Sequence, residues 1–261
     1  MQRTALSTEA LCFPDSFAPF LEGARISDSS SSPEARVFYL EKDGGYFLKK
    51  AKAGTLGTEV AMNTFFFQKG MGPEVLAYEQ LEADWLLTRK LPGEDCTCSA
   101  CLAEPQRLCD ILAECLRLLH DTEAAGCPVP DHRRLYLRQG ERNYRAGKFD
   151  PSIFGAHRPF ATAREAWAEV ERNGRYLEQT TLLHGDFCLP NVMLENWRFS
   201  GFLDLGNGGI GDRHVDLFWG LWSLWFNLKT DRFSDRFLDA YGREKISMDA
   251  LRTVAAIENF G

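Results

Sequence analysis

Two short stretches of this chain say most about its fold. The first is Leu183-His184-Gly185-Asp186-Phe187-Cys188-Leu189-Pro190-Asn191, and the second is Gly201-Phe202-Leu203-Asp204-Leu205-Gly206. Together they place an Asp directly after His-Gly, an Asn five residues later, and a second Asp thirteen residues beyond the Asn. The second Asp closes an apolar run and precedes a small, flexible loop.

This spacing supplies the groups that phosphoryl transfer needs. One carboxylate orients an attacking hydroxyl, while an amide and another carboxylate hold Mg²⁺ on the nucleotide phosphates. The arrangement resembles the catalytic loop and the metal loop of protein kinases, with His-Gly-Asp in place of His-Arg-Asp. We therefore take Asp186 as the candidate catalytic residue, and Asn191 and Asp204 as the candidate metal ligands.

The N-terminal third predicts a small, β-rich lobe. The predicted elements are strands at 37–40 and 46–48 around a Lys-Asp-Gly-Gly turn, a helix at 58–68, and strands at 74–78 and 85–88. Lys49 ends the second strand and Glu59 lies in the first turn of the helix, so this order predicts an ion pair that presents the lysine to α/β phosphates. The polar stretch 27–33 is either a linker or a loop over phosphates.

From about residue 104 onward the pattern is mainly helical. The predicted elements are helices at 107–120, 161–177, 216–227 and 248–260, with short strands at 192–194 and 199–205. Residues 131–159 are interpreted as irregular, and Asp216 as a helix N-cap. We expect an α+β, protein-kinase-like, two-lobed fold. Residues 1–90 would form the nucleotide-binding lobe, and 91–261 the mainly helical catalytic and substrate-binding lobe.

The composition is that of an ordinary globular protein. The 261 residues are 44% hydrophobic and 26% charged, with a formal net charge of −7. An acidic surface disfavours nucleic acid and anionic membranes and favours cationic small molecules, although solubility alone also explains it. The apolar run 217–228 is too short for a membrane span of about 20 residues, and no signal peptide is visible. We expect a cytoplasmic monomer or weak homodimer.

Eight cysteines occur in the chain. Cys96, Cys98 and Cys101 invite a zinc interpretation, but their spacing is not the paired C-x₂-C pattern of known zinc modules. Reduced thiols are the favoured interpretation for this compartment. Whether this cluster binds a metal stays open at the level of sequence.

The chain as a whole resembles the aminoglycoside phosphotransferases of the 3′-hydroxyl type, which are bacterial antibiotic kinases with a protein-kinase-like fold. The resemblance runs nearly end to end and rests on residues 32–37, 47–49, Glu59, 109–120, the two stretches quoted above, Gly211-Asp212, Asp216 and 258–260.

The resemblance implies a role for each candidate residue. Asp186 would accept the proton of the substrate hydroxyl, and Asn191 and Asp204 would hold Mg²⁺. The nucleotide, ATP with GTP as an open alternative, would meet Lys49, Glu59, Ser32 at the β-phosphate, and the backbone of Arg89 to Leu91 at the base. The implied substrate contacts are Glu258, which would meet a drug ammonium, together with Phe260, Asn207 and Asp150.

Several positions depart from the family pattern. Asn207 and Trp222 stand where the family has Arg, Phe226 and Asn227 stand where it has acids, and the loop 150–159 holds one acid. Carboxylates are the groups that bind a polycation best. The leading prediction is ATP-dependent phosphorylation of the 3′-hydroxyl of an aminoglycoside such as kanamycin or neomycin, which confers resistance. The departures favour a second hypothesis, a kinase for an amino-alcohol or amino-sugar metabolite.

A third hypothesis is a non-catalytic nucleotide-binding or scaffolding protein. The joint retention of the lysine, the glutamate and the three motif residues argues against it, because a protein without chemistry does not need all five.

Overall fold

The structure is a computed structural model that describes residues 4–5, 13–30, 33, 35–154 and 159–261. These residues group into two units. The first unit comprises Met1–Asp95 and Met193–Gly206, and the second comprises Cys96–Val192 and Asn207–Gly261. The segment Met193–Gly206 thus groups with the N-terminal residues, although it lies far away in sequence. The division into domains at residues 90 and 91 stays a prediction.

The first unit is built on an antiparallel sheet. Its strands and helices are β1 (Thr4–Ala5), α1 (Ala18–Leu21), β2 (Arg25–Asp28), β3 (Ala35–Glu41), β4 (Tyr46–Lys52), α2 (Gly57–Gln68), β5 (Val75–Gln80), β6 (Ala83–Arg89), β7 (Glu94–Asp95), β9 (Val192–Glu195) and β10 (Arg198–Phe202). The main sheet has the strand order β1-β2-β3-β4-β6-β5. All of the predicted N-terminal elements are present, and their bounds lie within two residues of those expected except at the end of β4, which continues to Lys52.

Strands β3 and β4 form the hairpin that carries the lysine of interest. The turn contains Asp43 at φ 49°, Gly44 at φ 90° and Gly45 at φ 102°, so its residues have the positive φ that tight hairpins require. The register pairs Val37 with Lys49. One face of the sheet packs against the N-terminal segment. The buried core on this face consists of Phe17, Ile26, Phe38, Leu40, Tyr46, Leu48, Trp85 and Leu87.

A second, smaller sheet has the order β10-β9-β7. Asn196 and Trp197 connect β9 to β10 with φ values of 52° and 63°, which is a two-residue turn of the I′ kind. The predicted strand over 199–205 is wrong at its C-terminal end, since β10 stops at Phe202. The cause is Asp204, whose φ of 54° lies in the left-handed region and cannot continue a strand.

The second unit is mainly helical. Its elements are α3 (Ser99–Ala103), α4 (Pro105–His120), α5 (His132–Arg145), α6 (Ala163–Asn173), β8 (Thr181–Leu183), β11 (Gly209–Gly211), α7 (His214–Leu228), α8 (Ser234–Tyr241) and α9 (Met248–Glu258). Helix α4 packs on α8, and α9 packs on both α6 and α7. Strands β8 and β11 pair antiparallel and bring Leu183 opposite Gly209.

Two expectations for this unit are wrong. Residues 132–145 are not irregular but form α5, which the sequence concealed because the positions it buries are His132, Gly140 and Asn143 rather than large apolar residues. Asp216 is not an N-cap, because α7 begins at His214 and places Asp216 within its first turn, fully buried.

Neither a membrane-spanning helix nor a cysteine metal site is present among the described residues. None of the helices in those ranges combines the length and apolar character that crossing a bilayer requires. No group of three or more His, Cys, Asp and Glu side chains in the same ranges is arranged to hold a metal ion. The described members of the cluster at Cys96, Cys98 and Cys101 are thiols, two of them buried.

Candidate functional site

Lys49 is the centre of an ion-pair cluster in the first unit. Its Nζ donates to both carboxylate oxygens of Glu59 at 2.9 Å and to Oδ1 of Asp204 at 2.8 Å. Burial opposes the positive charge, but the carboxylates of Asp204 and Glu59 outweigh burial and raise the pKa of Lys49. The predicted Lys49–Glu59 pair is therefore present, and the lysine is held as a cation by two acids that are 10 and 155 residues away in sequence.

Asp204 is placed by an uncommon backbone conformation. At φ 54° it lies in the left-handed region, which Asp tolerates better than most side chains do. This turn ends β10 and directs the carboxylate towards Lys49, while about half of the side chain stays exposed. One oxygen is engaged by the lysine, so the other is left for a cation, and a hard oxygen ligand is what Mg²⁺ prefers.

A pocket surrounds this ion-pair cluster within the first unit. Its lining residues are Ser29, Val37, Phe47, Lys49, Glu59, Asn63, Pro73, Leu86, Thr88, Leu203 and Asp204. Apolar side chains line one part of the pocket, and the charged cluster lines another part. This lining suits a ligand that combines a flat ring with an anionic tail. Asn63 is nearly fully buried here, and its Oδ1 has no hydrogen-bond partner among the described residues.

The predicted base-binding segment lies where β6 ends. The backbone N–H of Arg89 donates to the carbonyl of Glu74 at 2.9 Å, and that of Lys90 donates to the carbonyl of Gly45 at 3.1 Å. These bonds anchor the segment to its neighbours. Leu91, by contrast, donates no backbone hydrogen bond to any described residue, so its N–H is available to a base. The Arg89 side chain turns away and pairs with Glu74 at 2.9 Å.

Asp186 and Asn191 lie together in the second unit. The amide Nδ2 of Asn191 donates to Oδ2 and to the backbone carbonyl of Asp186, both at 3.0 Å. The amide nitrogen is thus occupied, which leaves its oxygen as the atom that could bind a cation. On the other side, the thiol of Cys188 donates to Oδ1 of Asp186 at 3.1 Å. Both carboxylate oxygens of Asp186 are therefore held by neighbours in the same loop.

Asp216 holds the backbone of the loop that carries Asp186. It is fully buried, and it accepts from the backbone N–H of His184 at 2.8 Å and of Gly185 at 2.7 Å. Its Oδ2 also lies 3.1 Å from Nε2 of His120. Burial pushes the pKa of Asp216 up, but these bonds, led by that of His120, outweigh burial and lower it. An ionised carboxylate thus anchors the backbone that carries Asp186.

Gly185 is required by the same geometry. Its φ is +82°, and a Cβ at this position would lie 1.9 Å from the backbone oxygen of Asn207. No other residue type fits without moving the loop. The positive φ and the close approach of the Asn207 backbone explain why this position is Gly, where the protein-kinase motif His-Arg-Asp has Arg.

Glu258 is a buried acid near the end of α9. It accepts from the hydroxyl of Tyr136 at 2.7 Å and from Nε1 of Trp219 at 3.2 Å. Burial raises its pKa to about 7, against the two hydrogen bonds, which lower it. The negative charge of Asp186 adds to the rise. The group therefore titrates near neutral pH, and its contact with a drug ammonium stays a prediction.

The other predicted substrate residues occupy varied positions. Phe260 is 1% exposed and packs edge-on against Tyr144 and Trp167, so its observed role is in the core. Asp150 is exposed and caps a local turn by accepting from Ser152. Asn207 is exposed beside Gly185. Ser32 lies outside the described residues. The substrate roles of Phe260, Asp150 and Asn207 stay predictions.

Two of the positions that depart from the family pattern, Trp222 and Phe226, form an aromatic face on α7. Trp222 stacks on Phe226, with ring centroids 4.9 Å apart and planes 11° from parallel, and its Nε1 donates to the carbonyl of Ile153 at 2.7 Å. Asn227, which is partly buried, instead donates to the carbonyl and hydroxyl of Ser223. Trp222 and Phe226 thus make this region apolar, while Asn227 is hydrogen-bonded to Ser223.

Sequence reasoning missed several members of these sites. Neither Asn63 nor Thr88 in the pocket carries a recognisable motif. The helical spacing of Asn63 from Glu59 could have indicated one shared face, because residues four apart lie above one another. Cys188 lies only two residues from Asp186, inside the quoted motif. The contacts of Ser223 with Leu189 and of Asp216 with His184 span 34 and 32 residues and had no local signal.

Comparison with known proteins identifies what the chain is similar to. The family model described as the phosphotransferase enzyme family matches residues 28–255. A probable aminoglycoside 3′-phosphotransferase from Lactococcus lactis is 44% identical over 250 residues, covering 95% of each chain.

Solved structures agree in fold. An aminoglycoside-3′-phosphotransferase of type VIII superposes with a TM-score of 0.77 at 25% identity, covering 92% of this chain and 94% of that one. An aminoglycoside phosphotransferase from Streptomyces rimosus, in complex with ADP and streptomycin, superposes with a TM-score of 0.68 at 22% identity, covering 86% and 90%. The resemblance and the kinase-like α+β fold predicted from the sequence are thereby confirmed.

Proposed function

Because this chain belongs to the phosphotransferase enzyme family, we propose that it transfers the γ-phosphoryl group of ATP to the 3′-hydroxyl of an aminoglycoside antibiotic and so confers resistance. The single observation that carries the proposal is the cluster in which Lys49 Nζ binds Glu59 and Asp204 at 2.8–2.9 Å. A phosphate-binding lysine that is held by a helix acid and a loop acid is the arrangement that kinases require. The identity of 44% to a probable enzyme of this kind supports the acceptor.

The nucleotide would bind in the pocket of the first unit. Its apolar lining, with Val37 and Leu86 among the residues, suits the base. The backbone N–H of Leu91, just beyond the end of β6, would donate to the base. Lys49 would hold the phosphates at the charged end. The ADP in the Streptomyces rimosus structure supports nucleotide use by the fold. Since the base would be read through backbone atoms, this segment does not distinguish ATP from GTP, and GTP stays an open alternative.

Asn191 and Asp204 fit a magnesium ion chemically. Each has one side-chain oxygen that is not used by its neighbours, and both donors are hard oxygens. When bound, Mg²⁺ would neutralise charge that develops on the transferred phosphoryl group. We keep these two residues as the proposed ligands.

Asp186 would act on the acceptor. Its carboxylate is partly exposed and is held on both oxygens, so it would orient the attacking hydroxyl and accept its proton as the oxygen bonds to phosphorus. Glu258 would meet an ammonium of the drug. The reaction would take place in the cytoplasm, where ATP is available, and the enzyme would work as a monomer or weak homodimer.

A second acceptor class is favoured by one observation. The stacked pair of Trp222 and Phe226 presents aromatic surface on α7 where the family pattern has charged groups. Such a face suits a less charged acceptor, an amino alcohol or an amino sugar, better than a polycation.

The decisive experiment is a coupled ADP-release assay of the purified protein against a panel of aminoglycosides and amino sugars. We expect turnover with drugs that carry a 3′-hydroxyl and none with their 3′-deoxy analogues. Asp186→Asn should lower kcat by several orders of magnitude while nucleotide affinity stays near that of the wild type. Turnover of amino sugars alone, without protection of a sensitive host, would replace the antibiotic with the metabolite acceptor. Near-wild-type turnover by Asp186→Asn would refute its role.

A further inference from the structure

Cys188 lies against the carboxylate that the proposed mechanism uses. Its Sγ is 3.1 Å from Oδ1 of Asp186, and its backbone N–H donates to the carbonyl of Asp186 at 2.8 Å. The residue is 7% exposed. The thiol is thus a buried neighbour of the proposed catalytic residue and not a surface group.

The carboxylate of Asp186 needs such neighbours because its terminal torsion is soft. Rotation about the last bond of an Asp side chain has broad, two-fold preferences and no sharp rotamer. A hydrogen bond to each oxygen fixes the plane. Asn191 supplies the bond to Oδ2, and Cys188 supplies the bond to Oδ1. Since Asn191 is also a proposed metal ligand, the bond from Cys188 is the one that does not depend on the metal.

The direction of the bond from Cys188 follows from Ser223, which is 1% exposed on α7. The hydroxyl oxygen of Ser223 accepts from the backbone N–H of Leu189 at 2.9 Å and from Nδ2 of Asn227 at 3.3 Å. A hydroxyl has two acceptor sites and one proton, so the proton of Ser223 must go elsewhere. The side chain of Ser223 is hydrogen-bonded to the sulfur of Cys188, so the remaining hydroxyl proton goes to the sulfur and Ser223 is the donor.

The geometry at the sulfur agrees with this order. The sulfur accepts from Ser223, and the carboxylate oxygen Oδ1 of Asp186, which can only accept, lies 3.1 Å from it. The thiol proton is therefore directed to Asp186.

We propose that Cys188 is a positioning residue for phosphoryl transfer: its S–H, ordered by Ser223 and Asn227 on α7, fixes the plane of the Asp186 carboxylate so that Oδ1 meets the acceptor hydroxyl. The inference rests on the proposed role of Asp186. It also gives a function to Asn227, which stands where the family resemblance expects an acid.

The test compares variants at Cys188 that keep or lose the donor. Cys188→Ala should lower kcat about tenfold, as expected for one hydrogen bond to a charged group, with the KM for ATP unchanged. Cys188→Ser keeps an O–H donor and should recover most of the loss. Cys115→Ala is the matched control, since Cys115 on α4 is also buried, at 3% exposed, and its loss should leave kcat within about twofold of the wild type.

Melting temperatures of the Cys188 variants, and a pair of substitutions of nearly equal volume, separate an effect on positioning from an effect on packing. If Cys188→Ala does not yield folded protein, Cys188→Thr and Cys188→Val make the same comparison at nearly equal volume. The proposal is overturned if the variants without a donor turn over like the wild type, or if kcat follows the melting temperature regardless of the donor. Asp186→Asn in the same assay separates the two proposals. An inactive Asp186→Asn beside a fully active Cys188→Ala would refute the positioning alone, whereas an active Asp186→Asn would refute the role of Asp186 on which both proposals rest.

Discussion

The substitution Gly185→Ala tests the geometry of the catalytic loop most directly. At φ +82° an alanine carries backbone strain of about 1–2 kcal/mol. The added Cβ would also lie 1.9 Å from the backbone oxygen of Asn207, whereas ordinary contacts begin near 3.4 Å. The loop must therefore move by about 1.5 Å, and a misplacement of about 1 Å can cost 100-fold in rate.

Gly126→Ala supplies the control for the strain alone. Gly126 has the same φ of +82°, but nothing lies within 4 Å of the site that its Cβ would occupy. We expect Gly126→Ala to lower the free energy of unfolding by about 1–2 kcal/mol and to leave kcat unchanged. Gly185→Ala should lose more stability than this and about 100-fold or more in kcat.

The assay is steady-state ADP release together with urea unfolding of both variants. The difference between the two glycine variants isolates the clash with Asn207, because the strain term is common to both. Our reasoning fails if Gly185→Ala keeps a kcat within about threefold of the wild type, or if the two variants lose equal stability and equal activity.

Two further predictions concern charged groups. Lys49→Ala should lower kcat/KM for ATP by about 10²–10³-fold, as for removal of a donor that stabilises transition-state charge. Lys50→Ala is the control and should have little effect, because the Lys50 ammonium lies over the Trp85 ring, 4.8 Å from its centroid. Equal losses for the two variants in steady-state kinetics would contradict this prediction. The pKa of Glu258 is raised to about 7 from 4.5. The stabilisation that protonated Glu258 gives to the folded state is therefore fully present below about pH 4.5 and is lost as pH rises through 7. Glu258→Gln should therefore gain up to about 3 kcal/mol relative to the wild type between pH 4.5 and 8 in urea unfolding, and a constant difference across this range would count against the raised pKa.

Local patterns carried most of the architecture. The short apolar runs of β3 and β4, the Asp-Gly-Gly turn between them and the apolar spacing of α4 are properties of neighbouring residues, so they could be predicted from sequence. Helix α5 could not, because its buried side uses small and polar residues that look like a solvated segment. The end of β10 was also hidden, because it depends on the backbone angle of Asp204.

The sequence by itself determined which chemical groups are present and in what order, because His-Gly-Asp, the Asn five residues on, and the later Asp lie in fixed local motifs. Only the tertiary structure decided which of them meet. Lys49 and Asp204 are 155 residues apart, and the Asp216 carboxylate reaches His184 and Gly185 from 32 and 31 residues away. Hydrogen bonds act over about 3 Å, so contacts between distant segments depend on how the whole chain folds and leave no periodic trace in the sequence.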